Sequence, residues 1–244
     1  VESALREAAL IASLSIFEGS KMADYPIIFS PQMVRALLAG RKTMTRRLAV
    51  ANGRPSSWRK VKTGDRLWVR ENYRVHSWSE DSELWFKYPA DGTISWVDPI
   101  DGDVANDFCE RVCAELDRKG VEQDDRGFYK STAALATKPS IHMPRWGSRI
   151  TLIVSGSEIE RIQDISEDDA KAEGIAWCDK FEWWHSDPNR DGAGPGSTKD
   201  AASAFRGLWI QINGEDAWYD NPEVIAISFS VEKRNIDDRP AAAA

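Results

Sequence analysis

The octet Gly40-Arg41-Lys42-Thr43-Met44-Thr45-Arg46-Arg47 gathers an amine, a hydroxyl and three guanidinium groups in one short run. A lysine three residues before a threonine can make a nucleophile of it, because a neutral amine can take the hydroxyl proton. A nearby guanidinium can hold a carboxylate, a phosphate or a carbonyl oxygen. The same residues also suit a solvated strand, with Lys42 as a bare positive charge and Thr45 as an ordinary β-branched strand residue. On a regular strand Lys42 and Thr45 point to opposite faces, since the side-chain period is two. They can meet only if a bulge or a corner lies between Gly40 and Thr45.

The surrounding pattern says what must hold the octet. Pro31, then Val34, Leu37 and Leu38, predicts a helix that stops at Gly40. Lys42 to Val50 reads as a strand, Lys62 to Asp65 as a turn, and Leu67-Trp68-Val69 as a buried strand. Leu84 to Tyr88 and Thr93 to Val97 are strand-like on either side of Ala90-Asp91-Gly92. Asp107 to Lys119 carries Phe108, Val112 and Leu116 at helical spacing, and Arg149 to Ile162 reads as a long strand. Ser166 with Asp169 three residues on opens a short helix leading to Glu173. Asp200 to Asn213 is a helix stopped by Gly214, and Val224 to Val231 is a strand with Ile225, Ile227, Phe229 and Val231 on one face. Ser186 to Ser197 is rich in Gly and Pro and reads as a mobile loop.

With 244 residues and 42% hydrophobic content, the chain can bury a core as one domain, 22–233, carrying a large insertion. Residues 1–21 read as an N-terminal extension ahead of Met22, and 234–244 as a tail. No apolar run reaches the ~18 residues of a membrane span, so no membrane partner is expected. Three cysteines make no disulfide framework and point to a reducing cytoplasm. Cys109 and Cys113 share a helix face without a second ligand pair, so neither a metal nor another cofactor is expected.

A net charge of −7 argues against a coat of duplex nucleic acid. The charge is uneven, however. Residues 40–74 hold eleven Lys/Arg against Asp65 and Glu71, while 155–191 hold eleven Asp/Glu against four Lys/Arg. The basic stretch either receives a local anionic ligand or is neutralised by the acidic one in the fold. Trp68, Trp85 and Trp96 lie in strand-like runs and suit a core. Trp58, Trp78, Trp146, Trp177, Trp183 and Trp184 lie in polar sequence, where an exposed ring can stack a base.

The octet, the turn Gly64-Asp65 and the late run Asp164 to Ile175 together resemble the ASCH family, which has a PUA-like β-barrel fold. Phage and prophage members are similar at Pro139 to Trp146 and from Phe205 to Trp218, and the resemblance spans Pro26 to Val231. It implies an α+β chain: a PUA-like barrel with flanking helices and, relative to minimal members, an insertion at about 75–145. Small bacterial members are acetylcytidine amidohydrolases. The resemblance therefore makes Lys42, Thr45 and Glu173 candidate catalytic residues and Arg47 the motif arginine. Arg46 or Arg47 would stabilise the oxyanion, while Arg145, Trp146 and Arg149 would contact nucleoside or RNA. Arg145 and Arg149 can equally pair with the acidic run 164–173. Two other functions stay open: a non-catalytic RNA-binding or regulatory module, and a single-strand ribonuclease.

Overall fold

A computed structural model describes residues 22–78, 83–99, 101–187 and 198–238. The expected N-terminal extension, most of the Gly/Pro-rich loop and the end of the tail lie outside the described residues. In chain order the elements are β1 (Asp24–Ile28), α1 (Pro31–Leu38), β2 (Met44–Leu48), β3 (Val50–Ala51), β4 (Arg54–Pro55), β5 (Arg66–Arg70), β6 (Arg74–Trp78), β7 (Leu84–Lys87) and β8 (Ile94–Val97). Then follow α2 (Gly102–Arg118), β9 (Thr151–Arg161), α3 (Glu167–Ala172), β10 (Ala176–Cys178), β11 (Trp183–His185), α4 (Ala201–Asn213), α5 (Asp216–Tyr219) and β12 (Glu223–Glu232).

The class is α+β. The main sheet runs β1-β5-β9-β12-β2, with β1 parallel to β5 and the other neighbours antiparallel. Its hydrogen bonding is that of an open sheet with β1 and β2 as edges. One face packs on α1 through Ile27, Phe29, Val34, Leu37, Leu67, Leu152, Ile225 and Ile227. The other receives α3 and α4, where Ile162, Ala170, Phe205, Leu208 and Val224 form a second cluster. Val224 to Ile227 are therefore buried on both faces of β12, which the one-sided alternation did not anticipate.

Within 75–145, strands β6-β7-β8 form a separate antiparallel sheet covered by α2. The helix begins at Gly102 rather than Asp107, because Asp101 caps it by accepting from the Asp103 N–H at 2.9 Å. Phe86 is fully buried at the centre of this cluster, with the Tyr73 ring at 4.6 Å, Trp146 at 5.4 Å and Phe108 at 5.8 Å. Phe86→Ala is expected to cost about 3–5 kcal/mol. Thermal unfolding should show the melting temperature fall by roughly 10 °C, and an unchanged value would mean that this cluster is not a core.

Trp96 departs from expectation, while Trp177 is exposed as its polar setting suggested. Trp96 is not in a core but 52% exposed on β8. Trp177 and Trp184 belong to the ribbon β10-β11, where their rings meet edge to face at 5.7 Å. No helix among the described residues is long and apolar enough to cross a membrane.

Candidate active site

The corner needed between Gly40 and Thr45 exists. Gly40 takes φ 71°, and the N–H groups of Arg41 and Lys42 turn back to donate to the Ala36 carbonyl at 2.9 and 3.1 Å. The strand consequently begins at Met44, not Lys42. Lys42 makes an isolated antiparallel bridge to Glu173, and the Thr43 N–H donates to Ala172 O at 2.8 Å. The backbone thus pins the end of α3 against the octet.

Local sequence puts Glu173 there. The Ser166 hydroxyl accepts from the Asp169 N–H at 3.1 Å and starts α3, and Gly174 ends it at φ 100°. A Cβ at Gly174 would lie 3.0 Å from Ala36 Cβ and 3.3 Å from Lys42 Cβ, so the close approach also needs glycine. Arg41 closes the joint by donating to Gly174 O at 2.9 Å.

Lys42 is wholly buried. Its ammonium donates to Glu173 Oε2 at 2.6 Å and to Glu173 O at 2.8 Å, and lies 5.5 Å from the Phe29 ring centroid. Burial pushes its pKa below the ordinary lysine value, more strongly than the Glu173 carboxylate raises it. The other Glu173 oxygen faces Arg46 Nη1 at 3.4 Å. Arg46 also donates from Nε to Glu160 at 2.5 Å and from Nη2 to Asp169 at 3.1 Å. Basic and acidic stretches therefore neutralise one another at this point. Glu173 pairs with Lys42 and Arg46, not with Arg47.

Arg47 is held differently. Its Nη2 donates to Ile28 O at 2.9 Å, and its guanidinium lies 5.2 Å from the Phe29 ring and 5.8 Å from that of Trp58. Its Nε is buried without a hydrogen-bond partner among the described residues. Burial lowers the Arg47 pKa.

These groups border a cavity of about 210 Å³ beside β2. Thr45, Arg46, Arg47 and Glu173 contribute its polar wall. The Thr45 hydroxyl makes no hydrogen bond to Lys42 or Glu173, and Lys42 stands behind Glu173 rather than in the wall. Of the apolar wall, Trp58 was among the rings singled out in the sequence, while Met33 and the α4 stripe Phe205, Leu208, Trp209 and Ile212 were missed. That stripe has i, i+3, i+4, i+7 spacing, the signature of a helix face that must cover something. Here its far end covers the cavity, and Ile212 remains 55% exposed.

Arg145, Trp146 and Arg149 are not brought to this cavity. Neither arginine pairs with the run 164–173. Arg145 bridges Asp24 at 2.6 Å and Asp237 at 2.7 Å, and Trp146 packs on Phe86 and Phe108 in the second core. Arg149 is bidentate to Glu71 at 2.8 and 3.0 Å and to Asp91 at 2.9 and 3.1 Å. Its distance from the Tyr88 ring centroid is 4.1 Å.

Burial pushes the Glu71 carboxyl above its ordinary value despite Arg149. The folded state then binds more protons than the unfolded one just above the ordinary carboxyl range, so this group's contribution falls as pH rises through that window. Arg149→Met strands the Glu71 carboxylate. It should cost about 3–5 kcal/mol at neutral pH and less as acid protonates Glu71. Melting curves at neutral and mildly acidic pH test this; a loss independent of pH would contradict it.

Among the described residues no group of three His, Cys, Asp or Glu is placed to hold a metal. No family model matches the chain, and no curated protein does. Among solved structures, protein EF3133 of Enterococcus faecalis V583, a DUF984 protein, is similar over 96% of this chain and 97% of its own, at 11% identity and a TM-score of 0.34. A likeness that distant carries no argument about function.

Proposed function

We propose that the chain is an ASCH-type protein whose main sheet corresponds to a PUA-like barrel. We further propose that the cavity beside β2 hydrolyses the acyl amide of a modified cytidine-type nucleoside. The observation that carries the reading is the buried Lys42–Glu173 pair at 2.6 Å, set behind a cavity wall that holds the unbonded Thr45 hydroxyl.

Proton transfer within the pair leaves a neutral amine and a carboxylic acid, the direction in which burial already drives Lys42. The amine takes the Thr45 proton as Thr45 Oγ1 bonds to the acyl carbon. Substrate binding must bring Lys42 Nζ and Thr45 Oγ1 into contact, as catalytic hydrogen bonds often tighten only in the complex. Glu173 gives its proton to the exocyclic amine as the C–N bond breaks. Water then gives a proton to the Glu173 carboxylate as it adds to the acyl carbon, and Lys42 returns a proton to Thr45 Oγ1 as the C–O bond breaks. Glu173 passes its proton back to Lys42, and the released acetic acid loses its own proton to solvent. Arg47, in the cavity wall and without a carboxylate partner, is the cation best placed to meet an oxyanion or a ring carbonyl. Arg46 has its donors committed to carboxylates and orients Glu173 instead.

Size and charge favour a nucleoside over a strand. A cavity of about 210 Å³ has room for one base with its acyl group rather than for several stacked bases. Lys42 and Arg46 pair with Glu160, Asp169 and Glu173, three carboxylates that also offset the charge of Arg47, so the cluster is balanced rather than cationic. Acetylcytidine turnover should accordingly change little between about 50 and about 200 mM salt. Affinity for single-stranded RNA that falls steeply over that range, with no turnover, would instead support the binding-module reading.

A further inference from the structure

The second sheet ends on a strand with which no described residue pairs on the outer side; the described segment nearest it, 233–238, is separated from Ser95 and Trp96 by a cavity. The sheet's other edge, β6, is bent by an irregularity between Val75 and Ser77. That edge is also closed by Tyr73 and Lys138, which exchange backbone hydrogen bonds of 3.1 and 2.7 Å. Strand β8 has neither device. From Thr93 to Val97 it carries no charge and no proline, the features that usually block edge pairing. On its outer side no other strand or loop among the described residues bonds its backbone; the Trp96 carbonyl accepts only from the Ser95 hydroxyl, at 3.2 Å.

The phase of that edge is fixed. Tyr88 N–H donates to Thr93 O at 2.8 Å, so Thr93, Ser95 and Val97 direct their backbone groups at β7. Ile94 and Trp96 direct theirs outward. The same two residues carry the exposed apolar side chains of the strand, Ile94 at 45% and Trp96 at 52%. Both stand on one face, beside Lys87 and Trp85 in the register with β7.

We propose that β8 pairs antiparallel with β8 of a second copy of this chain, about a two-fold axis through Ser95. The strand is self-complementary in that register alone among those centred on a residue facing β7. Ile94 then lies opposite the partner's Trp96 and Trp96 opposite the partner's Ile94. Both are hydrogen-bonded pairs, so four backbone bonds cross the axis. Each exposed isoleucine covers an exposed indole, a favourable cross-strand combination. The joined sheet has six strands and sets Trp85, Trp96 and the partner's Ile94 in one row. Such an interface is isologous and closes at two copies.

Sedimentation equilibrium of the full chain tests this across a concentration series. The expected mass is twice 27.4 kDa at the higher concentrations. Trp96→Lys, and separately Ile94→Lys, should return it to 27.4 kDa with an unchanged circular dichroism spectrum. Ser95→Cys reports the register. Ser95 faces itself in a non-hydrogen-bonded pair with Cα atoms ~4.5 Å apart, within the ~4.4–6.8 Å that a disulfide spans. Under oxidation it should give a dimer on a non-reducing gel beyond whatever the native cysteines give. A wild type that stays monomeric would overturn the proposal, leaving the edge to another part of this chain or to a different protein. A dimer indifferent to both lysine substitutions would overturn it equally.

Discussion

Lys42→Ala is expected to lower stability by about 3–5 kcal/mol, which is more than most single substitutions. The side chain is wholly buried and its ammonium spends two donors on Glu173. Removing it leaves the Glu173 carboxylate at 4% exposure with only Arg46, at 3.4 Å, to face it. It also removes the filling behind the α3–octet joint. The melting temperature should fall by roughly 10 °C. Replacing both partners by apolar residues, Lys42→Met with Glu173→Leu, should restore much of the loss, since neither member of the pair is then left charged and Arg46 keeps Glu160 and Asp169. A double variant no more stable than Lys42→Ala would show that the pair is not the source of the effect.

Glu173→Gln should lower turnover strongly and also cost stability, though less than Lys42→Ala, because the amide keeps one acceptor for Lys42 but turns its NH2 group toward Arg46. The amide oxygen can still accept from Lys42, so the joint persists. The proton relay does not. Loss of one general acid–base group lowers turnover by about 10²–10⁴-fold, and the loss should appear in kcat rather than KM. Thr45→Ala should match it in activity while leaving the melting temperature nearly unchanged, because the hydroxyl makes no bond to a described residue. If Thr45→Ala retains turnover while Glu173→Gln does not, water attacks directly and threonine is only part of the wall.

The local features of this fold were legible where one residue decides them. Asp200 and Gly214 bound α4, Ser166 starts α3, and Gly40 makes the corner, each by capping or by backbone freedom that sequence displays. The octet's chemistry was legible as residue types, and Glu173 was reached through resemblance to a family rather than through spacing. What sequence could not display is which carboxylate meets which cation. Arg46 and Arg47 are neighbours of identical type, yet strand alternation sends them to opposite faces. One meets Glu160, Asp169 and Glu173, while the other sits between Phe29 and Trp58. Arg145 and Arg149 looked available only because Asp24, Glu71, Asp91 and Asp237 are remote in sequence. The α4 stripe was visible as periodicity, but periodicity does not distinguish a face that covers a core from one that walls a cavity.

The most direct measurement is the release of cytidine from acetylcytidine, followed by absorbance, with wild type, Lys42→Ala, Thr45→Ala and Glu173→Gln side by side. Turnover by the wild type that is lost in Glu173→Gln and Thr45→Ala, both still folded, is the predicted result. A folded wild type that releases no cytidine would contradict the account and leave the cavity beside β2 as a binding site.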